Sequence, residues 1–376
     1  MVFIPVAEPV IGEKEIEYVI DALKSGWVSS LGVYIEKFEK AFADYLGVDY
    51  AISVGNGTEG LHLAFHALGI GVGDEVIVPD LTFVATAHSV IQTGAEPVFV
   101  DIDPNSFCID SSILEDAISE KTKAIAPVHL YGQPANMSEI QMIAKKHDLF
   151  IIEDAAEAHG AEFCGKKVGS FGDVGVFSFY GNKLITTGEG GMVVTNDSNL
   201  ASRLRFLKDH GMSPKRRYYH SELAFNYRMT NIQAALGLAQ LEQIDLFIEK
   251  KQQILDWYRE DLVDLSNISF NPGLSLSKSV NWLTCLLLQD DFPISREILG
   301  KELRSKGIDW RPFFIPMHEL PHLSKYKRFG DNVRNCTISS KISSQGMNLP
   351  SGCNLTRSSI SYVTDCIKEI YKNYTG

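Results

Sequence analysis

Between residues 50 and 195 the chain alternates short β-branched runs with helical patterns, and this alternation leaves few architectures open. Strand-like runs fall at 50–54, 75–78, 97–102, 124–129, 149–152, 174–179 and 191–195. Between them lie helical patterns: an apolar one through Leu61, Ala64, Phe65 and Leu68, then 82–91, 111–118 opened by a serine cap, and 137–147. Alternation sustained over this length predicts an α/β fold, a largely parallel sheet with helices on both faces.

Downstream the texture changes. Residues 231–254 form one long helical pattern rich in Ala, Leu, Gln and Glu that runs on toward Arg259. After Asn267 come a strand-like run at 279–288, a helical one at 295–306, a stretch rich in proline and aromatics at 310–321, and a terminal helix at 359–374. We place a boundary inside the long helix: a large α/β domain over 1–250 and a smaller α+β domain over 251–376.

Composition excludes several classes. A formal net charge of -12 argues against a nucleic-acid or anionic-membrane surface, because both recruit excess Lys and Arg. Cys108, Cys164, Cys285, Cys336, Cys353 and Cys366 form no C-x-x-C pair and no zinc spacing, so no metal is expected and a reducing compartment is. The start, Met1-Val2-Phe3-Ile4-Pro5-Val6, lacks the basic and apolar regions of a signal peptide, and no apolar run approaches ~18 residues. The expectation is a soluble cytoplasmic protein.

In open parallel sheets ligands sit beyond the carboxyl ends of strands. Three polar features fall there. Gly55-Asn56-Gly57-Thr58 leads from a strand into a helix, where free N–H groups can hold a phosphate, although the Walker lysine and the G-x-G-x-x-G spacing are missing. Asp154 ends a strand that should be buried, where a carboxylate needs a cation or several donors. Lys183 lies in Phe177-Ser178-Phe179-Tyr180-Gly181-Asn182-Lys183, ahead of the glycine-rich turn 186–191; a desolvated lysine is favoured as neutral amine or imine.

Together with Glu153–Gly160 and Gly346-Met347-Asn348-Leu349-Pro350, these segments resemble the sugar aminotransferases of the DegT/DnrJ/EryC1/StrS family nearly end to end. The resemblance implies aminotransferase fold type I, with a mostly parallel seven-stranded sheet, and pyridoxal 5′-phosphate as cofactor, with pyridoxamine 5′-phosphate as its intermediate form. By position, Lys183 matches the Schiff-base lysine and proton carrier, Asp154 the partner of the pyridine nitrogen, and Glu157, where many relatives have Gln, the neighbour of the ring hydroxyl. Phe83 matches the aromatic stacked on the ring, and Gly57, Thr58, Glu59 and Ser178 match phosphate-binding positions. Asn226 matches a residue reaching the phosphate from a second subunit, which implies a homodimer with shared active sites. Relatives usually carry a small apolar residue and Ala where Glu59 and Gly60 stand, so Glu59 is expected to offer only its backbone N–H.

Within the family, Asn226–Asn231 and Arg311-Pro312-Phe313-Phe314 are similar to the enzymes that aminate C4 of GDP-4-keto-6-deoxy-D-mannose with L-glutamate as donor; close relatives take UDP- or dTDP-linked 4-keto sugars. Ser29, Arg217, Arg311 and His318 are the candidate substrate contacts, each with an ordinary structural alternative. Dehydratases of the same fold replace the Schiff-base lysine with histidine, so Lys183 favours amination. A cofactor-binding regulator would need an added DNA-binding segment, for which this chain has no spare length.

Overall fold

All seven strand-like runs belong to one sheet in the computed structural model, which describes residues 3–330 and 336–375. From one edge the order is Tyr50–Val54, Gly191–Thr195, Val174–Ser178, Phe150–Asp154, Thr122–Ile125, Glu75–Pro79, Glu96–Val100 and Arg328–Phe329. Only Gly191–Thr195 runs antiparallel to its neighbours. The eighth, two-residue strand was not foreseen: a late segment returns to pair Arg328 with Phe99.

Alternate residues of one strand enter different cores, as the two-residue period of a strand requires. Val193 packs with Ile52, Leu63 and Val176, whereas its neighbours Met192 and Val194 pack with Phe38, Phe42 and Phe177. Both faces are therefore covered, which explains the near-continuous apolar runs.

Two helical expectations are corrected. Residues 111–118 form two short 3₁₀ turns, Ser111–Ile113 and Glu115–Ala117, and the cap is the Asp110 side chain, which accepts from Ser112 N–H. The pattern at 231–254 is two helices, Asn231–Leu241 and Ile244–Asp261. At the break, Gln243 Nε2 and Gln240 Nε2 both donate to buried Glu15 Oε1, each at 2.7 Å. A tertiary contact overrides the local helical pattern there.

The later residues build a four-stranded antiparallel sheet in the order Ile268–Phe270, Thr284–Leu288, Gly346–Leu349, Arg311–Pro312. Its core gathers Ile254, Tyr258, Leu286, Leu303, Met347 and Ile367, and Ile4 joins it through backbone pairing with Gly307 and Asp309. All six cysteines are unpaired. No helix among the described residues is long and apolar enough to cross a membrane. Met1 and Val2 of the amino-terminal segment lie outside the described residues.

Candidate active site

The adjacent acids Glu153 and Asp154 show how strand geometry sorts structural from functional carboxylates. Successive side chains of Phe150–Asp154 point to opposite faces. Glu153 is saturated: it accepts from Gly169, Phe171 and Gly172 N–H, each at 2.7 Å, and faces His129 Nε2 at 3.1 Å. Asp154 enters a cavity of about 710 Å³ and meets only neutral donors, the Thr86 hydroxyl at 2.6 Å and Ala156 N–H at 3.1 Å. Burial pushes its carboxyl above the usual range, opposed chiefly by the Thr86 hydrogen bond.

Lys183 reaches the same cavity from the connection between two antiparallel neighbours, Val174–Ser178 and Gly191–Thr195. That connection is closed by Phe179 N–H to Gly190 O at 2.8 Å and by Thr187 N–H to Phe179 O at 2.9 Å. The lysine amine lies 3.4 Å from Glu157 Oε1 and 3.9 Å from the centroid of the Trp282 ring. Glu157 Oε2 accepts from Tyr131 N–H at 2.8 Å, and burial pushes this carboxyl upward as well, against the pull of Lys183.

Gly57, Thr58 and Glu59 open the helix Gly57–Ala67 at the other end of the cavity. Gly57 stands where any side chain would collide, since a Cβ there would lie 2.9 Å from Ser178 Cβ. The close approach presses the helix start against Ser178, so N–H groups and a hydroxyl share one corner suited to an anion. Glu59 departs from expectation. Its N–H is taken by the Asn56 side chain at 2.8 Å, which caps the helix. Its side chain is half-buried: Oε2 is buried and unpaired among the described residues, and burial pushes the carboxyl up.

Glu59 Oε2, Thr82 Oγ1 and Asn182 Oδ1 are buried without partners among the described residues, and all three residues line this one cavity. With a buried Asp154 facing no cation directly, a half-exposed Phe83 forming one wall, and an anion corner beside Ser178, the pocket matches a ligand with a cationic ring nitrogen and a phosphate. Pyridoxal 5′-phosphate fits that description.

Of the sequence-derived residues, Gly57, Thr58, Glu59, Phe83, Asp154, Glu157, Ser178, Lys183 and Arg311 line the cavity, and Ser29, Arg217, Asn226 and His318 do not. Ser29 is exposed, and its carbonyl accepts from Asn231 N–H. Arg217 is exposed over the Tyr218 ring, and Asn226 Oδ1 accepts from Arg228 Nε at 2.8 Å. His318 is tied to Asp80, whose two oxygens take its Nδ1 at 2.7 Å and its N–H at 3.0 Å. That is a tether between strand end and loop, and it leaves His318 outside the pocket.

Sequence reasoning missed Trp282, Tyr227, Phe314 and Thr86. The first three line the cavity, and Thr86 holds Asp154. A hydroxyl in 82–91, one turn beyond the pocket aromatic, was the only available signal for Thr86.

Comparison with known proteins identifies the family. The model of the DegT/DnrJ/EryC1/StrS aminotransferase family matches residues 9–368. The chain is 46% identical to a GDP-perosamine synthase of Caulobacter vibrioides over 98% of both sequences. It is 45% identical to a GDP-perosamine synthase of Escherichia coli O157:H7, covering 99% of this chain and all of the relative. A putative sugar aminotransferase of Streptococcus pneumoniae, solved in its PLP form, superposes with a TM-score of 0.91 at 27% identity, with 100% of both chains covered. The chain belongs to the DegT/DnrJ/EryC1/StrS aminotransferase family.

Proposed function

We propose that this chain moves the amino group of L-glutamate, by way of pyridoxal 5′-phosphate, onto the C4 keto group of a nucleotide-linked 4-keto-6-deoxy sugar. GDP-4-keto-6-deoxy-D-mannose is the proposed acceptor and GDP-perosamine the product. One observation carries the reading: the Lys183 amine shares a single cavity with the buried carboxyls of Asp154 and Glu157. The choice of sugar rests on the two perosamine synthases, each at 45% identity or more.

The bound cofactor supplies an electron sink for the carbon being deprotonated. Asp154 would hold positive charge on the ring nitrogen, Glu157 would face the ring hydroxyl, and Phe83 would lie against the ring. Gly57, Thr58 and Ser178 would take the phosphate. Lys183 Nζ, once free, would take the proton from the donor's α-carbon and deliver it to the cofactor's own carbon rather than back to the donor, and Glu157 keeps that amine aimed into the cavity. Phe83, Tyr180, Trp282 and Phe314 line the pocket, and the buried Trp282 ring covers the reacting amine on one side.

The working unit is a homodimer in the cytoplasm, with Asn226 contributed to the partner's phosphate corner. Asn226 is exposed and away from its own cavity. Ile16, Ile20 and Leu23, at helical spacing on Glu13–Lys24, are 43% to 53% exposed, an apolar stripe of the kind a second copy buries, and the exposed Trp27 follows just beyond the helix end. The chain divides near residue 250, with its first residues returning to the second unit through Ile4.

The test is spectroscopic. Purified protein should show the absorbance of a lysine imine, which glutamate removes with release of 2-oxoglutarate. GDP-, UDP- and dTDP-4-keto-6-deoxy sugars are then compared as acceptors. A protein with no such band, or a band indifferent to glutamate, overturns the reading.

A further inference from the structure

Trp282 stands closer to the reacting lysine than any role in the reaction yet described for it requires. It enters from the strand-bearing region after residue 267 and is buried, with 3% of its surface exposed. Its ring face covers the Lys183 amine, with Nζ 3.9 Å from the centroid. Its Nε1–H donates to the carbonyl of Asn182, the residue preceding that lysine, at 2.8 Å. The ring is stacked with Tyr131 at an interplanar angle of 18°. Behind it lies a buried cation outside the reaction chemistry: Lys251 Nζ donates to Trp282 O at 2.8 Å and to Ser351 O at 2.6 Å. Lys251 has no carboxylate partner among the described residues, so the two carbonyls alone hold a charge that burial disfavours. Such a group fixes the backbone at Trp282 firmly.

We propose that Trp282 is a positioning residue that steadies the ammonium ion Lys183 becomes once its freed amine has taken up the substrate proton, with Lys251 locking the indole in place. The proposal rests on the reading that the Lys183 amine becomes free during turnover. In that state the amine, on a side chain that is mostly buried, faces two sources of negative potential, the Glu157 carboxyl and the indole face. Attraction of an ammonium to an indole face strengthens when both are desolvated. The ring and the carboxyl together keep the proton that the lysine must later deliver, and they aim it.

The test labels Lys183 with acetic anhydride in the full-length chain, both cofactor-free and loaded with pyridoxamine 5′-phosphate, and quantifies the lysine by mass spectrometry. Only the neutral amine reacts. Trp282→Leu keeps the site apolar but removes the ring face. It should raise labelling about three- to thirtyfold near pH 8, a gain that shrinks as the pH rises toward 11 and the ammonium is lost. A rate that is unchanged, or raised equally at both pH values, overturns the proposal, since equal gains report access alone. Trp282→Phe retains a weaker ring and should give a smaller gain with the same pH dependence. It decides the matter if the leucine variant fails to fold. The cofactor-free measurement involves no imine, so its outcome is separate from that of the glutamate-dependent spectrum.

Discussion

The Thr86 hydroxyl donates to Asp154 at 2.6 Å, and no side-chain cation among the described residues pairs with that carboxyl. A carboxyl raised by burial binds its proton more tightly folded than unfolded, so its ionisation costs stability. The cost is absent below the ordinary aspartate range, near pH ~3.9, and grows as pH rises through the raised folded value. Asp154→Asn should therefore raise the melting temperature of the cofactor-free protein at pH 7 and leave it unchanged near pH 3. The same variant should bind pyridoxal 5′-phosphate at least ~10-fold more weakly. A cofactor-free variant less stable than the parent at pH 7 contradicts the assignment.

Lys183→Ala should lose turnover by ~10³-fold or more. It also strands the buried Glu157 beside Tyr131 N–H without its cation. Breaking a buried pair by removing one partner costs roughly 3 kcal/mol, and Lys183→Ala with Glu157→Gln should recover most of it. Urea unfolding of the cofactor-free single and double variants measures the recovery. Additive losses would show that the two groups are uncoupled.

His159 packs between Phe177 and Phe179, and neither ring nitrogen has a partner among the described residues. Burial first, and the charge of Lys183 second, push its imidazole down to about 3. The unfolded chain takes up that proton more readily, so stability is fully present above pH ~6.5 and is lost as pH falls toward the folded value. His159→Leu should flatten the decline in urea midpoint between pH 6.5 and 4. A decline as steep as the parent's would exclude His159 as its source.

His318 works in the opposite sense. The hydrogen bond to Asp80 raises its imidazole, so this contribution is fully present below pH ~6.5 and fades as pH rises through the raised value. His318→Gln should lower the melting temperature more at pH 6 than at pH 9, with KM for the nucleotide sugar unchanged. An elevated KM with intact stability would return His318 to the substrate contacts.

Arg311 lines the cavity half-buried, with no side-chain hydrogen bond or ion pair among the described residues. A guanidinium held ready in this way suits an anionic substrate group. Arg311→Leu should raise KM for the nucleotide sugar or for glutamate roughly 10- to 100-fold, with kcat changed less. Unchanged KM values for both would leave the guanidinium without a ligand.

How much of this was legible in advance follows from what each residue interacts with. The sheet was readable because its strands are buried on both faces, so Val174–Ser178 and Gly191–Thr195 are apolar at every position but a few. Asp154 and Lys183 stood out as polar groups at such strands, Asp154 as the last residue of one and Lys183 just beyond another. The helix break at Glu242–Gln243 was not, since its cause is Glu15, more than 220 residues away. Trp282 reaches Lys183 from another part of the chain, with no local pattern marking it. Glu59 shows the limit of carrying a role by position, since its N–H is engaged by Asn56.

The loop that bears Lys183 is tied at both ends to strands that are themselves neighbours in the sheet interior. Its backbone thus has nowhere to go during a reaction cycle. The side chain alone provides reach, swinging its amine on four methylenes from an immobile post. An amine released at one step finds itself still within striking distance at the next, so the protein needs no opening or closing of this segment to run the exchange forward and back.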